Sequence, residues 1–263
     1  MSEQKHSITR VRHELKRREL EVRRVQALTA QMRRVTLGGE ALDGFSSAAA
    51  DDHCKLFFPQ PGAPPPLPVP EPAGGPAPNA RDYTPRRYDA ASLELDFDFV
   101  LHGDGPAASW AAQARPGQTL VVGGPRGSFV VADDFDWYLL IGDETALPAI
   151  GRRLEELRSD TRVLAVIEVE SDSEQLPLQS RAALSLQWLH RGAEAPGGAQ
   201  RLLAAVQRLV LPAGDGYVWI ACESQVARVL REHLIERGQN RAWIKAAGYW
   251  RRGAAATHDN HND

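Results

Sequence analysis

Six consecutive residues, Arg81-Asp82-Tyr83-Thr84-Pro85-Arg86, set an aromatic ring and a hydroxyl between guanidinium groups. The combination suits a flat anionic ligand. Tyr83 would lie on a heteroaromatic face, Thr84 would bond its edge, and the flanking arginines would fork onto phosphate. Taken alone, the same residues also describe a surface strand with an Arg–Asp pair. Further on comes His102-Gly103-Asp104-Gly105-Pro106-Ala107-Ala108-Ser109-Trp110. Two glycines and a proline there open a helix directly after a strand, and unpaired amides at such an N-terminus bind pyrophosphate. His102 fits either a ligand contact or a structural histidine. Gly124-Pro125-Arg126-Gly127-Ser128 adds a tight turn with an arginine at its tip.

The elements that must position these groups fall into two kinds. Before about residue 131 the signals are β. Leu93, Leu95, Phe97, Phe99 and Leu101 alternate with Glu94, Asp96, Asp98 and Val100, the period of a strand with one buried face. Leu20, Val22 and Val25, with Arg23 and Arg24 between them, read as an entering strand whose charges are solvated. Turn signals at Gly38-Gly39, Pro116-Gly117 and Gly123-Gly124-Pro125 separate short strands, as in a small antiparallel barrel. After about residue 136, Trp137–Ile141, Val163–Val169, Leu184–Leu189 and Tyr217–Ala221 are compact runs suited to a largely buried sheet. Helical periods lie between them, at Ile150, Leu154 and Leu157 and at Val226, Val229, Leu230 and Leu234, the latter closed by Gly238. Strands alternating with helices predict a parallel α/β domain.

Composition narrows the class. The 263 residues carry 31 Lys+Arg against 34 Asp+Glu, with 43% hydrophobic residues, which are ordinary globular values that exclude wholesale disorder. No apolar run approaches the roughly 18 residues of a spanning helix, so no membrane insertion is expected. Cys54 and Cys222 are too few for a disulfide framework or a thiolate metal site, and no other cluster has metal-ligand spacing. A reduced, cytoplasmic protein is the expectation. Residues 1–34 are basic, but no recognition motif accompanies the charge and nucleic-acid binding is not expected. Ten of the eighteen prolines fall between Pro59 and Pro78, which predicts a loop inserted within the first domain.

In their order these segments resemble the siderophore-interacting flavoprotein family of the ferredoxin-reductase-like superfamily. The resemblance rests on Arg81-x-Tyr83-Thr84-x-Arg86, His102-Gly103, Gly142-Asp143-Glu144-Thr145-Ala146-Leu147-Pro148 and Gly248-Tyr249-Trp250, and it runs from about residue 10 to residue 252. It is nearest to the NADPH-dependent ferric-chelate reductase branch, through Leu37–Phe45 and Asp51–Pro59. The family serine of Gly-Pro-Ala-Ser falls on Ala108, with Ser109 one position later, and Cys222 stands where a small residue is usual. The resemblance implies an N-terminal antiparallel six-stranded FAD-binding barrel followed by a parallel-sheet NAD(P)H-binding domain. The corresponding bounds are a basic arm at 1–16, a barrel at 17–132 with its Pro-rich loop at 59–80, an α/β domain at 133–253 and a disordered tail at 254–263.

The resemblance also assigns residues. FAD would be held by Arg81, Tyr83, Thr84, Arg86 and His102, with Gly105, Ala107, Ala108 and Ser109 at its pyrophosphate. Asp143, Thr145 and Ala146 would form a loop on the nicotinamide side of NADPH or NADH, the last two through their amides. Tyr249 or Trp250 would cover the flavin. Lys55, Arg126 and Lys245 would form a cationic pocket for an anionic ferric chelate such as a ferric siderophore. The flavin carries the chemistry, so no side chain is assigned as catalytic. The implied activity is FAD-dependent ferric-siderophore reduction. A non-catalytic siderophore-binding flavoprotein, and an electron-transfer flavoprotein partnered with a ferredoxin, remain open at this stage.

Overall fold

The structure, a computed structural model, describes residues 6–59, 79–103, 105–253 and 259–260. The core of the Pro-rich segment, and His258 and His261 of the tail, lie outside the described residues. The chain forms two compact units, one of Ile8–Val131 and one in which His6 and Ser7 join Ala132 onward.

In the first unit, β1 (Ile8–Arg12), β2 (Arg17–Ala27), β3 (Met32–Gly38), β4 (Cys54–Phe57), β5 (Ala80–Tyr83), β6 (Arg87–Asp89) and β7 (Glu94–Val100) precede the helix α1 (Pro106–Gln113). Two further strands, β8 (Thr119–Gly123) and β9 (Gly127–Val131), complete it. Instead of six strands, seven form one antiparallel sheet in the order β5-β4-β8-β2-β3-β7-β6, and β1 pairs with β9 as a separate ribbon. Residues Ile8–Arg12 of the expected basic arm are therefore strand. The two edges of the sheet, β5 and β6, are joined only by Thr84-Pro85-Arg86. Four residue steps reach about 14 Å, whereas seven flat strands at about 4.8 Å would span about 29 Å. The sheet must curl until its edges meet, and the barrel-like form follows.

The inward faces of these strands supply Leu20, Val22, Val35, Leu37, Leu56, Phe97, Phe99, Leu120 and Val122, all buried in one cluster. Ala107 and Ala111 of α1 pack onto the same cluster, and Arg33 caps the helix C-terminus by donating to the carbonyls of Ala111 (3.0 Å) and Ala112 (2.6 Å). The alternation along β7 holds for its apolar face, but Asp96 and Asp98 are buried as well. Cross-strand partners cover them. Arg34 forks onto Asp98 at 2.6 and 2.8 Å, while Thr36 and Arg87 donate to Asp96 at 2.6 and 3.0 Å.

The second unit alternates strand and helix: β10 (Trp137–Asp143), α2 (Leu147–Glu156), β11 (Arg162–Val169), β12 (Ala183–His190), α3 (Ala199–Arg208), β13 (Gly216–Glu223), α4 (Ser224–Glu236) and β14 (Ile244–Trp250). Its sheet runs β12-β11-β10-β13-β14, all parallel, and the two-residue β15 (Asp259–Asn260) adds antiparallel to β14 within the segment expected to be a disordered tail. One face of β10 and β13, including Leu139, Ile141, Val218 and Ile220, packs under α3 and α4. The central strands are buried throughout, whereas β12 is an edge strand with alternately exposed residues.

Candidate functional site

The Arg81–Arg86 motif lies on the seam of the curled sheet. Tyr83 is half-buried, with its ring 4.5 Å from Phe99 and 6.5 Å from Phe58. Trp110 of α1 stands 5.8 Å from Phe58 and 5.7 Å from Phe99, which extends the same aromatic bed. Burial pushes the Tyr83 phenol far up, against a smaller downward pull from Arg81, so the ring is neutral. Successive strand residues point to opposite faces, and this separates Arg81 from Asp82. Asp82 accepts from Lys55 Nζ at 2.8 Å, and no carboxylate among the described residues pairs with Arg81, whose Nη1 donates to the Ala80 carbonyl at 2.8 Å. Thr84 and Pro85 are buried beside it, and Arg86 is half-buried.

The sequence places a helix N-terminus near this bed, and the structure has one. Gly105 caps α1 without a side-chain bond, and Pro106 is its first residue. The Ser109 amide already bonds to the Gly105 carbonyl at 2.9 Å, so the amides without a helical acceptor are those of Ala107 and Ala108. Those two backbone donors stand where the family pattern has a serine hydroxyl. His102 is exposed beyond the end of β7.

The three cations expected to share a pocket fall on different units. Lys55 and Arg126 lie in the first, where Lys55 pairs in register with Gly123, and Arg126 is exposed at the tip of the turn that follows. Lys245 lies on β14 of the second unit, opposite Trp219. Arg17 was not foreseen. It sits across Gly123 from Lys55 in the strand order, with its guanidinium 4.2 Å from the Phe57 ring centroid. The sequence did not show that Arg17 and Lys55 share a register with the same glycine.

At the carboxyl edge of the second sheet, Gly142 lets the following turn fold close, because a Cβ there would lie 2.5 Å from the Ala146 Cβ. The structure corrects the expectation that the Thr145 and Ala146 amides face a ligand. Thr145 donates its amide to Asp143 at 3.0 Å and its hydroxyl at 2.5 Å, and Ala146 is fully buried. Asp143 caps its own turn. Its other oxygen accepts from the Trp250 indole at 2.8 Å, while Tyr249 packs edge-on against Trp219 at 6.0 Å. Both terminal aromatics are thus engaged within their own unit. Burial, and then the neighbouring Glu144 charge, pushes the Asp143 carboxyl up to about 7.

Around it stand residues that sequence reasoning missed. Buried Arg191 forks onto Glu144 at 2.9 and 2.6 Å, and Glu223 caps α4 by accepting from the amides of Gln225 and Val226. Glu168, paired in register with Asp143, is buried and raised by that burial. Arg152 pairs with Glu156, and Arg153 lies over the Tyr138 ring. Cys54 and Cys222 are buried and form no disulfide, and burial drives the Cys222 thiol up, away from reactivity. Among the described residues, no group of three His, Cys, Asp or Glu could hold a metal, and no helix is long and apolar enough to cross a membrane.

Comparison with known proteins bears on both units. Residues 21–129 match the family model described as the siderophore-interacting FAD-binding domain, and residues 135–253 match that of the siderophore-interacting protein. The chain is 40% identical to the NADPH-dependent ferric-chelate reductase of Escherichia coli K12, covering 92% of this chain and 95% of that one. It is 35% identical to ferric vibriobactin reductase of Vibrio cholerae, covering 88% of each. Among solved structures, a siderophore utilization protein from T. fusca superposes with a TM-score of 0.90 at 40% identity, over 97% of this chain and 100% of that one. Two family models that together span most of the chain, with relatives 35–40% identical over about nine-tenths of it, place this chain in the siderophore-interacting protein family.

Proposed function

We propose that the protein is an FAD-dependent ferric-siderophore reductase that uses NADPH. The observation that carries the reading is the seam itself. An aromatic bed ending in neutral Tyr83, an arginine that pairs with no carboxylate among the described residues and a helix whose Ala107 and Ala108 amides have no helical acceptor match the ring and pyrophosphate of FAD. Bound FAD supplies the step from a two-electron hydride donor to one-electron delivery to Fe(III).

The protein's own residues bind and steer. Tyr83 supports the ring face, Thr84 its edge, and Arg81 with Arg86 the phosphates, while α1 receives the pyrophosphate. Arg17, Lys55 and Arg126 form a cationic end of the barrel that concentrates an anionic ferric chelate. Hard oxygen donors hold Fe(III) more strongly than Fe(II), so reduction loosens the chelate and no protein ligand to iron is required.

The test is spectroscopic. Purified protein should carry a flavin absorption band that NADPH bleaches under anaerobic conditions and that a ferric catecholate restores. Failure of NADPH to bleach the band, with dithionite still able to do so, would remove NADPH as donor. Failure of the chelate to restore it would remove reductase activity.

A further inference from the structure

A guanidinium is seldom buried without a carboxylate to replace its hydration. Arg18 departs from that rule. By strand parity it points inward with Leu20 and Val22, and it is 5% exposed. Its Nε donates to the Ala41 carbonyl at 2.9 Å and its Nη1 to the Gly124 carbonyl at 3.2 Å, and the guanidinium lies 5.4 Å from the Phe45 ring centroid. The titratable groups near it are Cys54, Tyr88 and Glu14, the last exposed and bonded to Lys16 at 2.9 Å. Burial lowers its pKa, yet arginine retains its proton. Among the described residues, no carboxylate is bonded to this buried positive charge.

Its place in the fold is informative. Cys54 pairs with Tyr83 between β4 and β5, and Tyr88 lies on β6 just past Thr84-Pro85-Arg86. The buried charge therefore acts on side chains that flank the flavin motif in the strand register.

We propose that Arg18 is an electrostatic tuning residue whose buried charge raises the reduction potential of a flavin held at the Tyr83 seam. The proposal rests on the FAD reading above. A hydride brings two electrons and one proton, so the reduced ring carries one more negative charge than the oxidised ring. A fixed cation in surroundings less polarisable than water favours that form. Arg18 thereby eases hydride uptake and sets how readily electrons pass on to Fe(III).

The test is the midpoint potential of the FAD-loaded protein, equilibrated with redox dyes, which needs neither NADPH nor chelate. Arg18→Met should shift the midpoint to more negative values, and Arg18→Lys, which keeps the charge, should stay near wild type. The equivalent loss of selectivity for reduced over oxidised FAD is on the order of tenfold. If Arg18→Met does not fold, Arg18→Gln, which keeps a donor for the two carbonyls, takes its place. If a variant sheds FAD, direct titration compares its dissociation constants for oxidised and reduced FAD. Equal losses for both forms, or a midpoint as negative in Arg18→Lys as in Arg18→Met, would overturn the proposal and leave Arg18 as a staple between two loops. The functional reading fails on a different result, namely wild-type flavin that NADPH does not bleach.

Discussion

Replacing Asp143 by Asn should change how stability depends on pH, not merely how stable the protein is. Asp143 is 5% exposed, and burial with the adjacent Glu144 charge holds its carboxyl near 7 in the folded protein, against 3.8 when unfolded. Between those values the folded chain keeps a proton that the unfolded chain has lost. Stability therefore falls as pH rises from about 4 to about 7, and the contribution is flat below and above. A difference of about 3 pKa units corresponds to as much as about 4 kcal/mol at 1.36 kcal/mol per unit. Asn cannot ionise, so the variant lacks this slope. It keeps an acceptor for Thr145 but turns an amide donor toward the Trp250 indole, a loss that is the same at every pH. Urea unfolding followed by tryptophan fluorescence, at several pH values from 4.5 to 7.5, should show Asp143→Asn gaining on the wild type as pH rises. A difference that stays constant, or that widens against the variant, would mean that Asp143 is ionised throughout and that the Thr145 and Trp250 donors outweigh its burial.

Other consequences follow from the first unit. Tyr83→Ala and Arg81→Ala should each purify with markedly less FAD than wild type while circular dichroism is unchanged; full retention by both would remove the seam as the cofactor site. Asp82→Asn releases Lys55 from its 2.8 Å ion pair and should lower the KM for a trianionic ferric chelate by up to about fivefold, an effect that salt diminishes and a neutral chelate does not show. Arg34→Ala strands the buried Asp98 carboxylate and should cost about 3 kcal/mol in unfolding free energy, read as a lower thermal midpoint with FAD bound.

What the sequence disclosed was local. The alternation of Leu95, Phe97 and Phe99 placed β7, and the succession of strand and helix after residue 136 placed the parallel sheet, because both patterns repeat within a few residues. The seam motif was legible for the same reason, since its ring, hydroxyl and guanidiniums are contiguous. Asp96 and Asp98 were misread as a solvent face because their covers, Thr36 and Arg34, lie 60 and 64 residues away. The Glu144–Arg191 fork spans 47 residues and the Asp143–Trp250 bond 107, and no short-range pattern carries either. Lys245 joined the chelate pocket through its place just before Gly248-Tyr249-Trp250, and its strand lies in the second unit.

Two features sat in plain local pattern and were still passed over. Asp143-x-Thr145 is the spacing at which a carboxylate caps the turn that follows it, so the Thr145 amide was already spoken for before any ligand was considered. Strand parity likewise decides Arg18: with Leu20 and Val22 facing the core, Arg18 must face it too, while Arg17, Glu19 and Glu21 face outward. Adjacent arginines look alike in composition, yet one lies across a phenylalanine ring on the outer face of the barrel and the other is sealed inside. The position at which a cation breaks an apolar alternation is therefore the more informative signal, because burying a charge is costly and the fold must answer it, here with two backbone carbonyls and a ring face.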